Sequence, residues 1–145
     1  MNDIKFSVAI HILVMVATSS KPLNSEDLAK SIGTNASYVR KVLALLKKGE
    51  LVESHRGKSG INLIKNPAEI SLLEIYETVE QKKPTFFEIH QNSNPECIVG
   101  KNIKEVVFPI ESNLEKQIAQ SLAAENLVDV INRLKVIVKD EKNGN

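Results

Sequence analysis

Five residues between Ser37 and Lys48 form the most chemically suggestive pattern in the chain. Ser37, Arg40, Lys41, Ala44 and Lys48 fall at i, i+3, i+4, i+7 and i+11, a spacing that gathers side chains on one face of a helix. Arginine can bond a guanine edge with two parallel hydrogen bonds, and lysine can neutralise phosphate. The small Ser37 and Ala44 would let such a helix come close to the floor of a major groove. A helix that only faces solvent would show the same stripe, so the flanking sequence has to decide.

Val39, Val42, Leu43 and Leu46 supply the opposite, buried face, which predicts a helix from Asn35 to Lys48 stopped near Gly49. Before it, Leu28, Ala29 and Ile32 predict a shorter helix. Asn24 or Ser25 can cap that helix, and Glu26 and Asp27 suit the positive end of its dipole. Gly33 then makes the turn, and the two helices read as a helix-turn-helix. Beyond Gly49, the β-prone runs Leu51–Ser54 and Ile61–Ile64 flank a basic tip at residues 55–60. A hairpin there is a wing, whose Arg56 and Lys58 could lie along phosphates or enter a narrow minor groove. The expected DNA-facing set is therefore Asn24, Ser25, Asn35, Ser37, Tyr38, Arg40, Lys41, Lys48, His55, Arg56 and Lys58.

The other segments read as support. Val8 to Ala17 is apolar apart from His11. It lacks the basic flank of a signal peptide and is too short to span a bilayer, which takes about 20 residues. We read it as a buried helix covered on more than one side, with a second subunit as one candidate cover, and His11 as a core or interface histidine. Ser71-Leu72-Leu73-Glu74 is a capping-box sequence opening a helix through Glu80. Pro84–Gly100 reads as a loop. Ile103, Val106, Val107, Ile110, Leu114, Ile118 and Leu122 keep a helical period, with Pro109 expected to kink that helix or open a second segment. Asn126 can cap a last helix. A long apolar stripe outside the winged unit has little core to join, and reads as a dimer element. The predicted class is mainly α with a small β-hairpin: a winged helix-turn-helix at 1–82, and a loop with a long helical dimerisation region at 83–145.

Composition fits one small domain with a helical attachment. The 145 residues are 42% apolar, enough for a core, and contain no Trp and a single cysteine, Cys97. One cysteine excludes an intrachain disulfide framework and suits the cytoplasm. The 19 basic and 18 acidic residues nearly cancel, yet residues 1–65 hold ten basic against five acidic, and residues 66–145 nine against thirteen. A head of +5 on a body of −4 points to a polyanionic partner for the head alone.

The runs Ser37-Tyr38-Val39-Arg40-Lys41-Val42-Leu43-Ala44-Leu45-Leu46, Gly49–Gly60 and Ile70–Tyr76 together resemble the Rrf2 family of bacterial winged-helix regulators. The likeness extends over essentially the whole chain. It implies a cytoplasmic homodimer that controls promoters by binding palindromic DNA, with no membrane partner. It also implies that Ser37 and Arg40 face bases and that Arg56 reaches the minor groove. Family members that bind iron–sulfur clusters carry three cysteines in the loop matching Phe86–Cys97. Here Cys97 stands alone, which places the chain among cysteine-poor members and predicts no cluster or other cofactor.

Cys97 and His90 are the candidate sensing residues. They read as a thiol at a helix start and a loop histidine, with a redox-sensitive thiol or a sparse metal site with Glu88 or Glu96 as functional options. No ligand spacing supports a metal. Neither a phosphate loop, a nucleophile elbow nor catalytically spaced carboxylates are found, so no enzyme is predicted. The leading expectation is a repressor acting as a homodimer; a third reading, combining it with the alternative that follows, is that an effector protein or small ligand tunes its DNA affinity through Pro84–Gly100. The alternative is a winged-helix interaction module whose partner binds the C-terminal half.

Overall fold

Asn24 and Asn126 open their helices in the same way. In the computed structural model, which describes residues 3–54 and 60–144, each asparagine accepts the N–H of an aspartate three residues on, and that aspartate's carboxylate accepts the asparagine's own N–H. The elements run α1 (Lys5–Thr18), α2 (Ser25–Ile32), α3 (Ala36–Lys48), β1 (Val52–Glu53), β2 (Asn62–Leu63), a 3-10 turn (Pro67–Glu69), α4 (Leu72–Glu80), α5 (Ile98–Ala123) and α6 (Leu127–Asn143). The strands pair antiparallel, Val52 with Leu63 and Glu53 with Asn62.

α1 is the central element. Its Val8, Ala9, Ile12 and Leu13 are buried, and it packs against α2, α3, α4 and α6. The second cover that an all-round apolar helix requires thus comes from α6 of the same chain, through Leu127 and Ile131. His11 is half-buried, its Nε2 2.9 Å from Ser31 Oγ, and joins α1 to α2.

Ser71 caps α4 by accepting the Glu74 N–H at 3.0 Å. The reciprocal half of the predicted capping box does not form, because the Glu74 carboxylate is taken by Lys65 Nζ at 2.7 and 2.8 Å. A charge-assisted pair outcompetes a backbone N–H for the same oxygens. The starts of α4 and α6 are tied together by Leu72 N–H to Glu125 O and Leu127 N–H to Ile70 O, both 2.9 Å.

α5 begins earlier than its apolar period indicates. Its N-cap is Cys97, so residues 98–100 are helix rather than loop. The first turn carries Ile98 and Val99 outward, 80% and 62% exposed, and no core contact imprints a period on them. Gly100 is needed there: a Cβ would lie 2.5 Å from the Asn94 carbonyl oxygen. Pro109 sits inside one continuous helix and opens no second segment. Its ring nitrogen cannot donate to the carbonyl four residues back. No residue of α5 is buried. Among the described residues no helix is long and apolar enough to cross a membrane.

Candidate nucleic-acid interface

α3 is held in place at its N-terminus and from below. Asn35 Oδ1 accepts the Tyr38 N–H at 2.8 Å and so closes the N-terminus. Gly33, at φ 86°, makes the left-handed turn from α2 that other residues adopt with strain. Val39, Val42, Leu43 and Leu46 are buried beneath. That leaves Ser37, Arg40, Lys41, Ala44, Lys47 and Lys48 exposed. A helix pinned by four buried side chains presents its outer face as a rigid surface, which is what base reading requires.

Arg40 does not stand alone. Its Nη1 lies 3.7 Å from Glu26 Oε1 on α2. A groove of about 380 Å³ runs beside it, lined by Asn24 and Ser25 of the α2 start, Arg40, Ala44 and Lys47 of α3, and Ser54 and Gly60 at the two ends of the wing. Gly60 has φ 76°, and a Cβ there would meet the Leu23 backbone N at 2.9 Å. The base of the wing is therefore seated directly on the segment that leads into α2. This contact fixes the wing's departure point relative to α3.

The structure thus gathers Asn24, Ser25 and Arg40 around one groove. Asn24 and Asn35 spend their carbonyl oxygens on capping, and the Tyr38 ring packs half-buried against the core. Ser37, Lys41 and Lys48 are exposed on α3 outside the groove. His55, Arg56 and Lys58 lie outside the described residues.

A family model described as Rrf2, iron-dependent transcriptional regulator, matches residues 3–133. The chain belongs to the Rrf2 family. It is similar to YwnA of Bacillus subtilis (strain 168), classed as an HTH-type transcriptional regulator, with 40% identity over 130 residues, 90% of this chain and 96% of that one. A crystal structure described as that of a DNA-binding protein is 36% identical, with a TM-score of 0.72, covering 88% of this chain and 98% of its own. The structure of CymR, the global cysteine regulator of B. subtilis, has a TM-score of 0.66 at 19% identity and covers 91% of this chain and 96% of its own; it attests the fold. This Rrf2 chain is a DNA-binding transcriptional regulator and not an enzyme.

The family description names iron, and the donor set here does not fit it. An iron–sulfur cluster takes several thiolates, whereas Cys97 is the only cysteine. Among the described residues no group of three or more His, Cys, Asp or Glu is placed to hold a metal. His90 and Cys97 are both exposed. At the head of α5 the Gly100 and Val99 amides face Cys97 Sγ without closing a cap hydrogen bond, and they draw its pKa below the ordinary thiol value.

Two polar side chains of the groove, Lys47 and Ser54, lie outside the expected DNA-facing set. Lys47 belongs to the same helix as the stripe, and its place on the groove follows from the α2 start lying alongside. Ser54 had no signal in sequence, because only the seating of Gly60 on the Leu23 backbone brings the wing's base to α3.

Proposed function

We propose that this Rrf2 regulator represses transcription as a homodimer on a palindromic promoter site, with α3 of each protomer in a major groove. The wing at 55–60 then lies on the adjacent minor groove or backbone. The observation that carries the reading is the fixed outer face of α3, where Arg40 and Lys47 border a groove shared with the α2 start and the wing base. Neutral Ser37 and Ala44 on the same face leave room for base edges.

The homodimer is supported by α5. Val106, Phe108 and Ile110 are 64%, 58% and 55% exposed on a helix none of whose residues is fully buried within its own chain. An apolar surface of that kind on a small regulator asks for a second copy, and two-fold pairing generates a palindromic reading head.

Selection of bound sequences from a random duplex pool tests the reading. Recovery of an inverted repeat whose half-sites are about one helical turn apart is the expected result. Against that site, Arg40→Ala should cost about 1–3 kcal/mol and relax preference at one position. Lys48→Ala should weaken all sequences alike and lower the salt slope by about one. Failure to enrich any duplex at low salt would refute the proposal.

A further inference from the structure

A cavity of about 610 Å³ opens where the start of α1, the end of α4, the connector to α5 and α5 itself meet. It lies within the size range of small-molecule sites, roughly 300–1,000 Å³. Four of the chain's six aromatic rings line it: Phe6, Tyr76, Phe86 and Phe87. Phe6 and Tyr76 stand edge to face with centroids 5.2 Å apart, and Phe86 and Phe87 do the same at 6.5 Å. Phe86 is 76% exposed at the rim, a position that burial within the chain does not explain.

The polar wall has a definite sign. Asp3, Glu80 and Glu88 face the cavity against the single lysine Lys82. Lys5 offsets Asp3 from outside at 3.6 Å, and the wall remains net negative. The faces of aromatic rings carry negative potential and attract cations. Rings and carboxylates therefore favour the same class of guest and disfavour anions. A divalent metal would make no use of the rings and would need an oxygen cage, which the described residues do not form.

We propose that this aromatic and acidic cavity is a binding site for a small organic ammonium ion, held by its charge against Asp3 and Glu80 and by its substituents against the four rings. Its walls belong both to the winged head and to α5, so occupancy bears on how α3 is carried relative to the dimer helix. That regulatory consequence rests on the function proposed above; the binding itself does not.

The test titrates the full chain, without DNA, with choline and with 3,3-dimethyl-1-butanol, the neutral isostere in which carbon replaces the nitrogen. Isothermal calorimetry and chemical-shift changes at residues 76–88 report binding. Saturable choline binding is expected, with the neutral alcohol about tenfold weaker. Phe86→Ala, at an exposed ring, and Glu80→Gln should each weaken choline at least about threefold while the circular dichroism spectrum is unchanged. Equal binding of choline and the alcohol overturns the proposal. So does the absence of binding by choline, putrescine and benzylamine alike, and so does choline affinity indifferent to both substitutions.

Discussion

Glu26, on the first turn of α2, holds its Oε1 3.7 Å from Nη1 of Arg40 on α3, with side chains 71% and 58% exposed. Exposed pairs of this kind stabilise a fold by under about 1 kcal/mol, so the contact is not needed to dock the two helices. It instead places a negative charge beside the arginine most suited to reading a base. With α3 docked as proposed, DNA binding must displace Glu26 or tolerate it near phosphate. Glu26→Gln should therefore tighten DNA binding about threefold to tenfold at low salt, with the gain shrinking as screening increases. Mobility-shift titrations at two salt concentrations measure this, and unchanged or weaker binding at low salt would contradict it.

Asn35 stands at the join of the helix-turn-helix, and its Oδ1 satisfies the Tyr38 N–H. Asn35→Ala should destabilise the fold by about 0.5–2 kcal/mol, the usual loss of an N-cap. For a chain of this size that lowers Tm by a few degrees, about 2–4 °C per kcal/mol. Asn35→Ser should restore most of it, since a serine hydroxyl can accept the same N–H. Calorimetric scans of the three proteins provide the check. If Ala and Ser variants melt together, the cap is not what Asn35 contributes.

The caps, the α3 stripe and the strand pairing were legible because each is a local pattern. Asn35 precedes its helix, Gly33 occupies the turn, and the apolar residues of α3 recur at helical spacing. Three features were not legible, each for a physical reason. The first turn of α5 has no core to imprint a period on Ile98 and Val99. The Glu74 carboxylate could serve the Ser71 box or Lys65, and only tertiary structure brings Lys65 to it. Ser54 and Lys47 share a groove because Gly60 seats the wing on Leu23, a contact between segments far apart in sequence.

The apolar run of α5 resolves into two stripes, which sharpens the dimer reading. Val107, Leu114, Ile118 and Leu122 are half-buried within the chain, while Val106 and Ile110, one turn apart, share an exposed stripe and Phe108 is exposed on the opposite side of the helix. A carboxylate on the outer stripe leaves the monomer core untouched but cannot be desolvated across an interface. Val106→Asp with Ile110→Asp should convert a species of twice 16.1 kDa into a folded monomer at micromolar concentration. Sedimentation equilibrium with circular dichroism separates dissociation from unfolding. A variant that stays dimeric would show that the protomers pair elsewhere.

Glu80 closes α4 at the negative end of its dipole and faces Asp3 at the start of α1. Burial first, then a hydrogen bond and repulsion from Asp3, raise the Glu80 pKa, while Lys5 and Lys82 pull the other way. Asp3 is lowered, chiefly by the Lys5 backbone N–H, and Tyr76 beside them is raised by burial and by both carboxylates. The signs are opposite. A raised Glu80 contributes stability that is fully present below its ordinary value of 4.5 and is lost as pH rises through its folded pKa. The lowered Asp3 contributes stability present above its ordinary value of 3.8 and lost as pH falls through its folded pKa. At neutral pH the Glu80 charge thus opposes folding, and a neutral isostere relieves it. Glu80→Gln should melt higher than the parent at neutral pH. The difference should fade as the solution is acidified toward 4.5, where the parent's own Glu80 becomes protonated. Paired melting curves from neutral to mildly acidic pH measure both the offset and its decay. A lower Tm at neutral pH, or an offset that ignores pH, would place Glu80 in a stabilising ion pair with Lys82 or Lys5 instead.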